Sequence, residues 1–244
     1  MEERTGRILW IDELRGLALV AMILHHIAFN IVYFVKLPID GLAGFLEGGA
    51  FRALQLVFIG VFLGLSGICS HLSRRPLLRA GRVILGALAV TGVTYFVFPE
   101  DVIWFGVLHC LATCMALAAL FGKYGKKVPP LWGAFVSLLL FAITYRVPDG
   151  FLLFWRLPKA WYIGGILTPF GFPDAFFGSM DYVPLLPHIF LFAAGFFLGN
   201  LRLPEGGGKV PFLGFLGRHS LMVYLLHQPL LFGIFFLLEK IIER

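Results

Sequence analysis

Runs of about twenty apolar residues recur along this chain, each long enough to cross the hydrocarbon core of a bilayer as a helix. Short polar or basic stretches separate them. Barrel strands would alternate in hydrophobicity, and these runs do not. Hydrophobic residues fill 59% of the 244 positions and charged residues 14%, against roughly 25% charged in a soluble domain. A globule of this length has too little interior to hide that surface. A soluble enzyme, a nucleic-acid binder and a disordered chain are excluded. The fold expected is all-α: a polytopic transmembrane helix bundle forming one domain over residues 1–244.

Seven spans are read, roughly Leu9–Val35, Phe51–Ser70, Val83–Phe98, Val102–Phe121, Leu131–Tyr145, Pro187–Leu201 and Phe212–Leu238. Pro229 is placed to kink or end the last of them. Alternate connections carry the basic residues: Arg4 and Arg7, then Arg74, Arg75, Arg79 and Arg82, then Lys123, Lys126 and Lys127, then Arg202, Lys209 and Arg218. This bias puts the N-terminus in the cytoplasm. It also accounts for the net charge of +6 without nucleic acid. The charged start of the first run reads as a span, not a cleavable signal. Residues 146–186 form a long external connection with five prolines and many aromatics, the kind of loop that is usually functional. Gly206-Gly207-Gly208 reads as a flexible cytoplasmic turn. Cys69, Cys110 and Cys114 lack metal-ligand spacing and read as core thiols.

Ionisable residues inside a membrane are costly and usually mark function. At ~100° per residue, Asp12, Arg15, Leu19, Met22, His26 and Asn30 fall on one face of the first span. Asp12 and Arg15, three apart, can form a structural ion pair or cap the helix at the interface. His25 points about 100° away from that stripe. By the assumed topology, His26, His109, His188 and His227 share the external half of the membrane, which suggests one polar cavity. Neutral imidazoles there can serve as general bases, relay protons or bind metal. Metal is disfavoured, since the spans offer few carboxylates and no HExxH motif. Gly64-Leu65-Ser66-Gly67 suits close helix packing. Its serine also fits a place beside a ligand channel, whereas a Ser–His dyad is opposed by their difference in depth.

Several stretches taken together resemble the heparan-α-glucosaminide N-acetyltransferase family. They are Ile11-Asp12-Glu13-Leu14-Arg15-Gly16-Leu17-Ala18 with Met22 and His26, then Phe62-Leu63-Gly64-Leu65-Ser66-Gly67, then Phe105-Gly106-Val107-Leu108-His109-Cys110. Asp181-Tyr182-Val183-Pro184 and Gly217-Arg218-His219-Ser220 with Tyr224, His227, Gln228 and Pro229 complete the set, in the family's order. The opening is similar as well to the wider transmembrane acyltransferase superfamily, where an arginine is followed after ten residues by a catalytic histidine. Arg15 and His26 have that spacing.

The resemblance implies an acetyl donor, acetyl-CoA, arriving from the cytoplasm. It implies a sugar or glycolipid acceptor on the external side and His26 as base. Lysosomal members carry a histidine in the loop after the first span. Lys36–Ala50 has none, so His26, His109 and His227 remain alternatives, with Asn30 or a second histidine as oxyanion donor. The expected coenzyme-binding residues are Arg15, Ser66, Arg74, Arg75, Lys126, Arg218 and His219, of which the basic ones suit its phosphates. Trp155, Trp161, Tyr162 and Tyr182 offer stacking faces for a sugar. Direct transfer and a covalent acetyl-histidine both stay open, as does assembly as a homo-oligomer. The expected location is the bacterial cytoplasmic membrane, among its lipids. Two other readings stand beside the enzyme. One is a proton-coupled transporter or lipid flippase with a histidine relay. The other is a non-catalytic scaffold, which leaves the intramembrane stripe without a use.

Overall fold

A computed structural model describes residues 8–35, 39, 41–73, 75–125 and 127–242. The helices are α1 (Leu9–Phe29), α2 (Leu42–Glu47), α3 (Gly49–Ser70), α4 (Pro76–Val97), α5 (Val107–Gly125), α6 (Pro130–Thr144), α7 (Leu185–Leu198), α8 (Pro211–Arg218) and α9 (Ser220–Ile242). Among the described residues, six helices are long and apolar enough to cross a membrane, and α7 is a shorter apolar one. The chain is therefore an all-α polytopic membrane protein. Two compact units are distinguished, residues 1–62 with 203–244 and residues 63–202.

In the first unit α1 packs against α8 and α9. Its buried face carries Ile11, Arg15, Ala18 and Leu19, while Leu17 and Leu24 on other faces are 50% and 60% exposed. That division follows the stripe expected from helical periodicity. Lipid is as apolar as leucine, so helices in a membrane gain by close packing more than by hiding apolar surface. Glycine supplies the closeness here. A Cβ on Gly16 would lie 2.0 Å from the Leu213 carbonyl oxygen, and one on Gly217 would lie 1.8 Å from that of Asp12. The segment leading into α8 is also tied to the first turns of α1. Trp10 Nε1 donates to the Pro204 carbonyl at 3.1 Å, and the Val210 N–H donates to Glu13 Oε1. Gly207 lies against the Trp10 side chain. The glycine run expected to be a flexible turn is thus docked on α1.

In the second unit α4 pairs with α5, α6 with α7, and α5 with α7. A Cβ on Gly195 of α7 would lie 1.9 Å from the Gly64 carbonyl oxygen, and one on Gly67 would lie 2.1 Å from that of Phe192. Cys69, Cys110 and Cys114 are buried free thiols.

Three span boundaries differ from expectation. α4 begins at Pro76, well before Val83, with proline at the first helical position where its missing N–H costs nothing. Hydropathy detects the apolar stretch, and Arg79 and Arg82 hid the two turns before it. α5 begins at Val107, not Val102, because residues 102–106 are occupied in other contacts; the Phe105 carbonyl, for example, accepts from the Val183 N–H at 3.0 Å. The long final run is two helices, broken at His219, and Pro229 lies inside α9 without ending it.

The connection 146–186 is not structureless. It holds short 3-10 turns and a two-stranded antiparallel hairpin, β1 (Phe151–Leu152) with β2 (Trp155–Arg156), in which Phe151 faces Arg156. Tyr162 donates its hydroxyl to the Val147 carbonyl, and Tyr182 donates to that of Thr168 at 2.6 Å. These tyrosines pin the connection to itself. Burial, and then the neighbouring Tyr162, push the Tyr182 phenol above its ordinary value, so it stays a donor. Trp155 and Trp161 keep exposed faces.

Candidate active site

The polar face of α1 ends in a change of helix. After Phe29 the backbone widens into a π-helical turn over Asn30–Phe34. Such turns are rare and frequently accompany functional sites. Asn30 begins it, 1% exposed, and its Nδ2 has no hydrogen-bond partner. A buried unpaired donor costs about 1–3 kcal/mol. One turn earlier sits His26, flanked by the rings of two other histidines. His25 is 4.7 Å away between centroids and His227 of α9 is 5.0 Å away. Gln55 Nε2 donates to His25 Nε2 at 3.4 Å, so that nitrogen of His25 is engaged on α3.

The tautomer of His227 is set by its own helix. Its Nδ1 lies 2.5 Å from the Tyr224 carbonyl oxygen, and a carbonyl can only accept. The proton is therefore on Nδ1. Nε2 then carries the lone pair, and it is buried with no partner. Gln228 Oε1 and Arg15 Nε in the same unit are likewise buried and unpartnered. Arg15 is 7% exposed. The first unit thus holds an unpaired buried donor, Asn30, one helical turn beyond His26, and an unpaired buried imidazole acceptor, His227 Nε2, on the ring against His26, while Arg15 lies roughly 16 Å lower along α1. Acyl transfer requires that combination: an acceptor for the proton leaving the nucleophile, and a donor for the charge that develops on the carbonyl oxygen.

His109 differs. In the second unit its Nδ1 accepts the Gly106 N–H at 3.2 Å, so Nε2 carries the proton and donates to Thr91 Oγ1 at 3.3 Å. The Thr91 hydroxyl in turn donates to the Ile103 carbonyl at 2.6 Å. Asp181 accepts the Val107 N–H at 3.1 Å and closes the N-terminus of α5. Both nitrogens of His109 are committed to shaping that helix start. His188 Nδ1 donates to the Pro184 carbonyl at 2.8 Å.

The other expected residues fall as follows. Ser66 is buried in α3 between the two glycines that meet α7. Arg75 is the exposed N-cap of α4. Arg218 ends α8, and the following His219 donates from Nδ1 to the Phe215 carbonyl at 3.0 Å; both are exposed. Asp12 gives its backbone to the Gly217 contact. Arg74 and Lys126 lie outside the described residues. Sequence reasoning missed Thr91 and the cap by Asp181. Asp181 stood within a recognised stretch, but nothing local joined it to α5.

No curated protein and no solved structure matches the chain. A family model described as heparan-alpha-glucosaminide N-acetyltransferase, catalytic, matches residues 7–229. It spans α1 with its histidine stripe and reaches α9 through His227, so this chain belongs to the heparan-α-glucosaminide N-acetyltransferase family of membrane acetyltransferases.

Proposed function

We propose that this protein moves an acetyl group from cytoplasmic acetyl-CoA to an amine or hydroxyl of a sugar on the external side, with the His26–His227 pair as the intramembrane base. The observation that carries the reading is the pair itself: two imidazoles 5.0 Å apart on α1 and α9, one with its protonated nitrogen held by the Tyr224 carbonyl and its lone pair buried and unpartnered.

In this reading the acceptor's proton passes to His227 Nε2 as the acceptor's lone pair attacks the thioester carbonyl. Asn30 Nδ2, already an unpaired donor, receives the charge growing on the carbonyl oxygen. The C–S bond then breaks, and the proton held on the imidazole returns to the departing thiolate. His26 lies against His227, and its removal would take away the ring that packs on the base. Arg15 supplies a buried positive charge lower on the same face, toward the side from which an anionic donor enters. Arg75, Arg218 and His219 are exposed cations at helix ends, the kind of group that suits a coenzyme's phosphates. The exposed faces of Trp155 and Trp161 suit stacking on a sugar.

The test is vectorial. In proteoliposomes, labelled acetyl-CoA on the face bearing Lys123 should acetylate an amino sugar or hexose glycoside on the opposite face. Transfer only when both substrates share one side would overturn the reading.

A further inference from the structure

Within residues 63–202, a cavity of about 220 Å³ opens at the basic ends of α3, α4 and α5. Its wall carries Ser70, His71, Ser73, Arg79 and Lys123, with Pro76 at the first position of α4. Among the described residues that line it, none is acidic. Basic residues at span ends need no ligand to explain them, since membrane topology alone selects them. Such residues usually extend into water. Two here do not. Arg79 is half-buried and donates from Nη1 to the Cys69 carbonyl at 3.4 Å. His71 donates from Nε2 to the Phe196 carbonyl at 2.7 Å, which fixes its ring on the wall. Lys123 reaches the same space from α5. The N-terminus of α4 adds partial positive charge there and the C-termini of α3 and α5 oppose it, so the side-chain cations carry the attraction.

The size limits the guest. Pockets for whole drug-sized ligands hold about 300–1,000 Å³. This one admits a phosphate or diphosphate, with the rest of its molecule outside. Arginine and lysine set around a small space with hydroxyl donors form the usual chemistry for phosphate oxygens.

We infer that this cavity is a phosphate-binding site, holding the phosphate end of either coenzyme A or an anionic phospholipid. The coenzyme arm rests on the function proposed above; the lipid arm does not.

The experiment uses the full chain in zwitterionic nanodiscs, as wild type and as Lys123→Gln and Arg79→Gln. Lys123 is exposed, so its variant should fold even if the arginine variant does not. Calorimetry measures coenzyme A binding, and native mass spectrometry measures retained phosphatidylglycerol. Lys123→Gln should weaken one of the two by about tenfold, as expected for loss of one charge-assisted contact. Weakened coenzyme A binding identifies the coenzyme as the source. Lost phosphatidylglycerol identifies the lipid. Should wild type retain the lipid but bind no coenzyme A, the cavity stands and the acetyl-CoA reading falls. Unchanged binding of both ligands by Lys123→Gln, or no binding of either by wild type, overturns the site.

Discussion

His26 and His227 stand ring to ring, 5.0 Å apart between centroids, although 200 residues separate them in the chain. Within the pair, His227 has its tautomer dictated by a backbone carbonyl, that of Tyr224. The pair therefore has a defined acceptor, His227 Nε2.

His109 should behave as a structural residue. Thr91→Val leaves its Nε2–H without an acceptor and removes the donor to Ile103. The expected loss is about 1–3 kcal/mol of stability. Thermal unfolding should show it, while acetyl transfer per folded molecule stays within about twofold of wild type, well inside the effect of a lost general base. A large loss of turnover without loss of stability would return His109 to the catalytic set.

Gly217→Leu should separate α8 from α1. Even a Cβ there would sit 1.8 Å from the Asp12 carbonyl oxygen, and overpacking of this kind costs about 1–3 kcal/mol or more. Fluorescence-detected size exclusion after heating is the check. A variant as stable as wild type would mean that the helices tolerate wider spacing.

The Tyr182 phenol is raised by burial and by Tyr162, so the folded protein keeps it protonated where an unfolded chain ionises it. Its contribution is fully present below about pH 10, the ordinary phenol value, and is lost as pH rises toward the raised one. Wild type should therefore lose thermal stability faster above that point than Tyr182→Phe. The variant itself should be about 1 kcal/mol less stable at neutral pH, having lost the bond to Thr168. Equal alkaline slopes in the two proteins would contradict this.

Much of the fold was legible because bilayer thickness imposes a length and helical periodicity imposes a face. Arg15, Leu19 and Asn30 are all buried along one side of α1. What escaped were features that hydropathy does not encode. The early start of α4 was masked by Arg79 and Arg82. The break at His219 falls at the polar step Arg218-His219-Ser220, which lies inside the stretch read as one span. The site was half legible. His26, Asn30 and His227 could be named from their cost in a membrane, but their roles depend on tertiary hydrogen bonds. His109 looked equivalent to His227 until Gly106 and Thr91 were seen to use both its nitrogens. The π-helical turn at Asn30 has no sequence signature.

The most direct test of the histidine pair is a double-mutant cycle on acetyl transfer from labelled acetyl-CoA to a panel of amino sugars and hexose glycosides. His26→Ala and His227→Ala should each lower turnover by about 10²–10⁴-fold with folding intact, and the double variant should be little worse than either, because the residues act as one unit. Transfer at the wild-type rate by the double variant would contradict the account.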